Sequence, residues 1–138
     1  MKTMKNFLMA VAVIACTAMC LFSCTSKDQL KIAVEIAAAQ CPMDCGDGLT
    51  MKDAVLENGN VVYVYEMDEE YYDIEGCKDP LTIREMKEAI MDEILHSNDN
   101  DLKEFIKIVK DSEADIIYRY IGDTTGKKID IVIKNSEL

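Results

Sequence analysis

Lys2 and Lys5, a largely apolar run from Phe7 to Phe22, and then Ser23-Cys24 set the strongest limit on how this chain can fold. A segment of that three-part form directs export and is then removed, so it takes no part in the fold. The run is shorter than the roughly 20 residues of a membrane-spanning helix, and Ser26-Lys27-Asp28-Gln29 end it abruptly. A permanent span is therefore not expected. Removal of residues 1–23 leaves 115 of the 138 residues, a size suited to one domain around one core.

Leu21-Phe22-Ser23-Cys24 resembles the lipobox of bacterial lipoproteins, in which an aliphatic residue at −3 and a small residue at −1 precede the cysteine that is diacylated. Phe22 departs from the small residue usual at −2. Val13-Ile14-Ala15-Cys16 matches the box better residue by residue, but cleavage there would leave Met19, Leu21 and Phe22 at the new terminus, whereas polarity changes at Cys24. An ordinary secretory signal is the remaining alternative. The lipobox resemblance implies palmitate-type lipid on Cys24, a membrane as partner through that lipid, and a short tether over residues 24–29. By the sorting rule of enterobacterial lipoproteins, Thr25 in place of Asp implies the outer membrane. Each buried methylene contributes about 0.8 kcal/mol, so a lipid group of two or three chains holds a soluble domain durably.

The leader carries two of the 15 basic residues and none of the 26 acidic ones, which leaves 13 positive and 26 negative groups, a formal charge of −13 on residues 24–138. Phosphate binding needs a basic face, so nucleic acid is excluded as a partner class. The acidity itself fits a solvated surface repelled by anionic membranes, or a face that docks a basic protein or gathers divalent cations.

Leu30, Ala33, Ile36 and Ala37 recur at helical spacing and predict a first helix reaching about Gln40, broken by Pro42 and Gly46-Asp47-Gly48. Leu49 to Leu56 and Val61 to Met67 flank Asn58-Gly59, the pair that a type I′ hairpin turn favours because both positions need φ > 0. An exposed acidic loop follows, with Asp68-Glu69-Glu70, Asp73 and Glu75. Thr82 and Glu85 read as a capping box for a helix whose Ile83, Met86, Ile90 and Ile94 share one face and which ends near His96. Asp101 then reads as the N-cap of a third helix, Leu102 to about Lys110, burying Leu102, Phe105, Ile106 and Val109. A second hairpin runs from Asp115 to Ile121, turns through residues 122–126, and returns with Ile129, Ile131 and Ile133 alternating along the strand.

The order helix, hairpin, two helices, hairpin predicts a single α+β domain over residues 30–138, with one four-stranded antiparallel sheet packed against helices. Val62-Tyr63-Val64-Tyr65 and Ile117-Tyr118-Arg119-Tyr120 look alike, as two helix-plus-hairpin units would. Gln40-Cys41-Pro42, Thr50 opening a hairpin, Val62-Tyr63-x-Tyr65 and Ile117-Tyr118-x-Tyr120-x-Gly122 together resemble uncharacterised small bacterial lipoproteins and periplasmic proteins. That resemblance implies a fold and an export route and carries no activity with it.

Cys41, Cys45 and Cys77 are the cysteines left beyond Cys24. Cys41 and Cys45 are spaced i, i+4 rather than the i, i+3 of redox and zinc motifs. In an oxidising compartment one disulfide and one spare thiol are expected. Pairing of Cys77 with Cys41 or Cys45 would pin the acidic loop to the first helix and contribute about 3 to 4 kcal/mol. With His96, the three thiolates form the alternative, a ligand set of structural-zinc type or a small-ligand site. Asp99-Asn100-Asp101 begins like a calcium loop but lacks its glycine and distal Glu, so N-capping accounts for it better. There is no Gly-x-Ser-x-Gly, phosphate loop or His-Glu-x-x-His, and the absence of tryptophan argues against a glycosidase cleft, so neither an enzyme nor a cofactor is implied.

Tyr63, Tyr65, Tyr118 and Tyr120 remain as the candidate binding surface. Spacing by two puts each pair on one sheet face, where the rings form either an aromatic plate for a protein or glycan or, under helices, part of the core. The expected function is that of a binding or accessory interaction module with an envelope protein partner.

Overall fold

The computed structural model describes residues 25–138; the leader, Cys24 and the rival Cys16 lie outside the described residues. Helix α1 spans Ser26–Ala39 and starts earlier than the apolar periodicity suggested, because Thr25 caps it. The Thr25 hydroxyl accepts from the Asp28 amide at 3.3 Å and donates to the Asp28 carboxylate at 2.8 Å. Residues 26–29, expected as tether, are therefore the first turn of a helix that buries Leu30, Ala33, Val34 and Ala37.

Strand β1 is a two-residue piece, Met43–Asp44, beside β2, Leu49–Glu57, which turns into β3, Asn60–Met67. Asn58 and Gly59 carry φ of 54° and 80°, as the type I′ turn requires. After β3 come a single turn, α2, Ile74–Cys77, then α3, Pro80–His96, and α4, Asn100–Asp111. The second hairpin, β4, Ile116–Gly122, and β5, Lys128–Ile133, completes the sheet before a 3₁₀ turn at Asn135–Glu137.

The sheet has five strands in the order β1-β2-β3-β4-β5, not four, and it is mixed rather than antiparallel. Val61↔Ile116 through Met67↔Gly122 pair in parallel, while the neighbouring pairs are antiparallel. The reason lies in the connection: residues 68–115 carry the chain back to the end of the sheet where β3 began, and a crossover of that kind makes the next strand parallel. α1 packs on β2 and α4, and α3 packs on β5.

Two helix caps also differ from expectation. Asp79 caps α3, accepting from the Leu81 and Thr82 amides at 3.1 and 3.3 Å, with Pro80 in the first turn. Proline suits that position because its missing N–H would have no partner there, which moves the helix start ahead of the Thr82–Glu85 box. Asp99 rather than Asp101 caps α4, accepting from the Asp101 and Leu102 amides at 2.9 and 3.4 Å.

The acidic loop is pinned by hydrogen bonds to the second hairpin turn. The Glu69 carboxylate accepts from the Thr124 amide at 2.7 Å, the Thr125 amide at 2.6 Å and the Thr125 hydroxyl at 2.9 Å. Asp123 accepts from the Glu69 amide, and Lys127 pairs with Glu75. Gly122 leaves the room: a Cβ there would lie 2.6 Å from a Glu69 carboxylate oxygen.

Candidate partner-binding groove

The four tyrosines are not a binding surface. Tyr63, Tyr65, Tyr118 and Tyr120 are buried in the core, at most 1% exposed. Parallel register sets Tyr63 beside Tyr118 and Tyr65 beside Tyr120, with ring centroids 5.5 and 5.2 Å apart. The physical reason is the residue between them. Arg119 alternates with Tyr118 and Tyr120, and a guanidinium goes to the face where it stays paired and near water, which turns the rings toward the helices. Arg119 donates to Asp130 at 2.9 and 3.1 Å and to Glu57 at 3.0 Å. Those bonds push its pKa up and hold the Glu57 carboxyl below its ordinary range.

The Tyr118 hydroxyl is fully enclosed and has no hydrogen-bond partner, and burial pushes its pKa up. An unsatisfied buried hydroxyl costs about 1 to 3 kcal/mol. Tyr118→Phe is therefore expected to leave the melting temperature unchanged or raise it; a fall of several degrees in a thermal melt would mean that the hydroxyl is bonded.

The cysteines and the histidine do not make a site. Cys41, Cys45 and Cys77 are free thiols, each half-buried against the core. Burial is the first cause raising all three pKa values; Asp53 and then Cys45 add to it at Cys41, Asp44 adds at Cys45, and Asp73 adds at Cys77. Raised pKa values work against the thiolate form that redox chemistry needs. His96 lies exposed at the end of α3, its Nδ1 2.8 Å from Asp92. No group of three or more His, Cys, Asp or Glu among the described residues is arranged to hold a metal ion, so the Cys41, Cys45, Cys77 and His96 ligand set is not assembled.

What the chain does form is an apolar groove between α1 and β2. It has a volume of about 260 Å³ and is lined by Val34, Ala38, Ala54, Val55 and Leu56, with Lys31 and Glu35 on its helical rim. α1 supplies Val34 and Ala38 one turn apart on one face. Beyond a register shift between Met51 and Asp53, Ala54 and Leu56 point to the helix side. β1 pairs with β2 only at Thr50 and Met51, so the stretch of β2 beside the groove has no strand on its outer side. Leu56, a large apolar residue, is left 37% exposed there. No sequence pattern marks this stretch: Ala54-Val55-Leu56 is a continuous apolar run, but so are residues 61–65 of the central strand β3.

The groove offers apolar contact and the outward backbone of β2 along a sheet edge, where the Ala54 N–H already donates to the Asp53 carboxylate at 2.8 Å; its only charged lining residues are Lys31 and Glu35 on the rim. That is recognition chemistry of the strand-addition kind.

No protein-family model matches the sequence, and no curated protein matches it. Solved structures do match, at identities where the likeness is one of fold alone. A Pseudomonas aeruginosa protein assigned as secreted superposes with a TM-score of 0.62 at 7% identity, over 81% of this chain and 91% of the other. EpsS, the type 2 secretion system pilotin of Vibrio vulnificus, gives 0.53 at 11% identity, over 81% and 94%. AspS, the type II secretion system pilotin of Vibrio cholerae, gives 0.51 at 8% identity, over 82% and 95%. The α+β architecture is thus one that a secreted bacterial protein and two pilotins also have, over nearly their whole length.

Proposed function

We propose that this chain is a lipid-anchored accessory protein of the bacterial cell envelope, held at the outer membrane by acylated Cys24. Its α1–β2 groove takes an extended segment of an envelope protein partner. The observation that carries the reading is the coincidence of an apolar groove with an unpaired strand edge, because strand addition supplies main-chain hydrogen bonds from β2 and side-chain specificity from the groove. At about 260 Å³ the groove is smaller than the roughly 300–1,000 Å³ of small-molecule sites, and it follows a strand, which favours a chain segment over a compact ligand. The likeness of the fold to pilotins supports an accessory role in which the domain works by holding another protein.

The test is native electrophoresis of the full chain extracted from membranes in mild detergent. The expected result is a complex heavier than two copies of the chain, reduced about tenfold by Leu56→Asp, which puts an unpaired charge into the groove. A complex that Leu56→Asp leaves intact rejects the groove as its docking site.

A further inference from the structure

The outer face of α3 is a second, unrelated surface. Its inner face buries Met86, Ile90 and Ile94, which is the contribution of this helix to the core. Diametrically opposite, at 100° per residue, lies a stripe of Leu81, Arg84, Glu88, Asp92 and Leu95. Leu95 and Leu81 are the two most exposed large apolar side chains among the described residues, at 55% and 52%. They stand two heptads apart on one line, about 21 Å along the helix. A shallow depression beside the stripe is floored by Met91 and bounded by Glu137, whose carboxylate pairs with Lys87 at 2.8 Å.

We propose that this face is covered by a second copy of the same chain, the two α3 helices packing antiparallel about a two-fold axis through Glu88. The choice of occupant follows from the order of charges along the stripe. With the axis at Glu88, Leu81 falls opposite Leu95 of the second copy, and Arg84 falls opposite its Asp92, each contact occurring twice. The two Glu88 carboxylates meet near the axis, each within 3.7 Å of its own Arg84. A stripe that reads apolar, positive, negative, negative, apolar complements itself only when reversed, so parallel packing would set like charges face to face. Two 17-residue helices in contact along about 25 Å bury on the order of 1,000 Å², the lower end of specific interfaces, so the dimer is of the weak, reversible class.

The experiment places a photo-activated benzophenone amino acid at position 88 of the full chain in the producing cells. The expected product is a covalent species of twice the chain's mass. Arg84→Glu and Asp92→Arg, each alone, turn two attractions into two repulsions and should lower its yield about tenfold. The double variant Arg84→Glu/Asp92→Arg restores the pairing with the signs exchanged and should bring the yield back to within about twofold of the parent. Recovery in the double variant also answers misfolding as a cause of the single losses. The proposal is overturned if position 88 yields no dimer, if it captures a different protein instead, if the single variants cross-link like the parent, or if the double variant stays low.

Discussion

Tyr120→Ala is expected to remove about 3 to 5 kcal/mol of stability, a large part of the 5–15 kcal/mol typical of such a domain. Tyr120 is fully buried, stacks on Tyr65 at 5.2 Å between centroids, and sits opposite Ile129 of β5, itself in the core. Truncation leaves a ring-sized void that flanking Tyr65 and Ile129 cannot fill without leaving their own rotamers. In a thermal melt the midpoint should fall by roughly 15 °C or more. The neighbouring Ile121→Ala is the control, because Ile121 is half-buried on the open face and is expected to cost about a third as much. Equal losses at 120 and 121, or a small loss at 120, would mean that the rings do not face the helices.

Cys24→Ala is expected to move the protein from the membrane pellet to the soluble fraction, and to abolish incorporation of an alkyne-tagged fatty acid. Two or three acyl chains at about 0.8 kcal/mol per buried methylene outweigh any other attraction between this domain and a bilayer. The formal charge of −13 on residues 24–138 opposes binding to anionic lipid, and no helix among the described residues is long and apolar enough to cross a membrane. Cys16→Ala should change neither fraction nor labelling. Loss of label in Cys16→Ala with retention in Cys24→Ala would move the lipid to the rival box, and no label in the parent chain would reject the anchor altogether.

Local structure was legible where one residue type answers one backbone demand. Asn58-Gly59 specified its turn through two positive φ values, and Ile129, Ile131 and Ile133 specified a strand with one buried face. The helix starts were less legible, because several acids and hydroxyls compete and the winner is set by its neighbours. Pro80 decides for Asp79 at α3, and at α4 the cap falls to Asp99, two residues before Asp101. The relation of the two hairpins was not legible from strand patterns at all. Parallel and antiparallel joining place the same tyrosines on the same face, and only the path of residues 68–115 distinguishes them.

The direction of the tyrosines was legible through Arg119. Between two rings at spacing two, its guanidinium occupies the opposite face, where Glu57 and Asp130 hold it, and Val62 on that face is covered although it stands outside the helix-side core. Taken alone, the tyrosines fit either a plate or the core; with the arginine between them, they belong to the core. The groove was hidden for a different reason. Its walls come from α1 and β2, and Val34 and Ala38 look like ordinary core positions until the outer side of β2 is seen to lack a strand.

The central claim, that a partner segment lies along β2 beside α1, is tested most directly by photo-cross-linking in cells from position 56, with position 107 on the outer side of α4 as the control. The expected result is one discrete adduct heavier than two copies of the chain from position 56, lost in a chain that also carries Ala38→Asp, and none from position 107. Equal labelling from both positions, or none from position 56, would contradict the account.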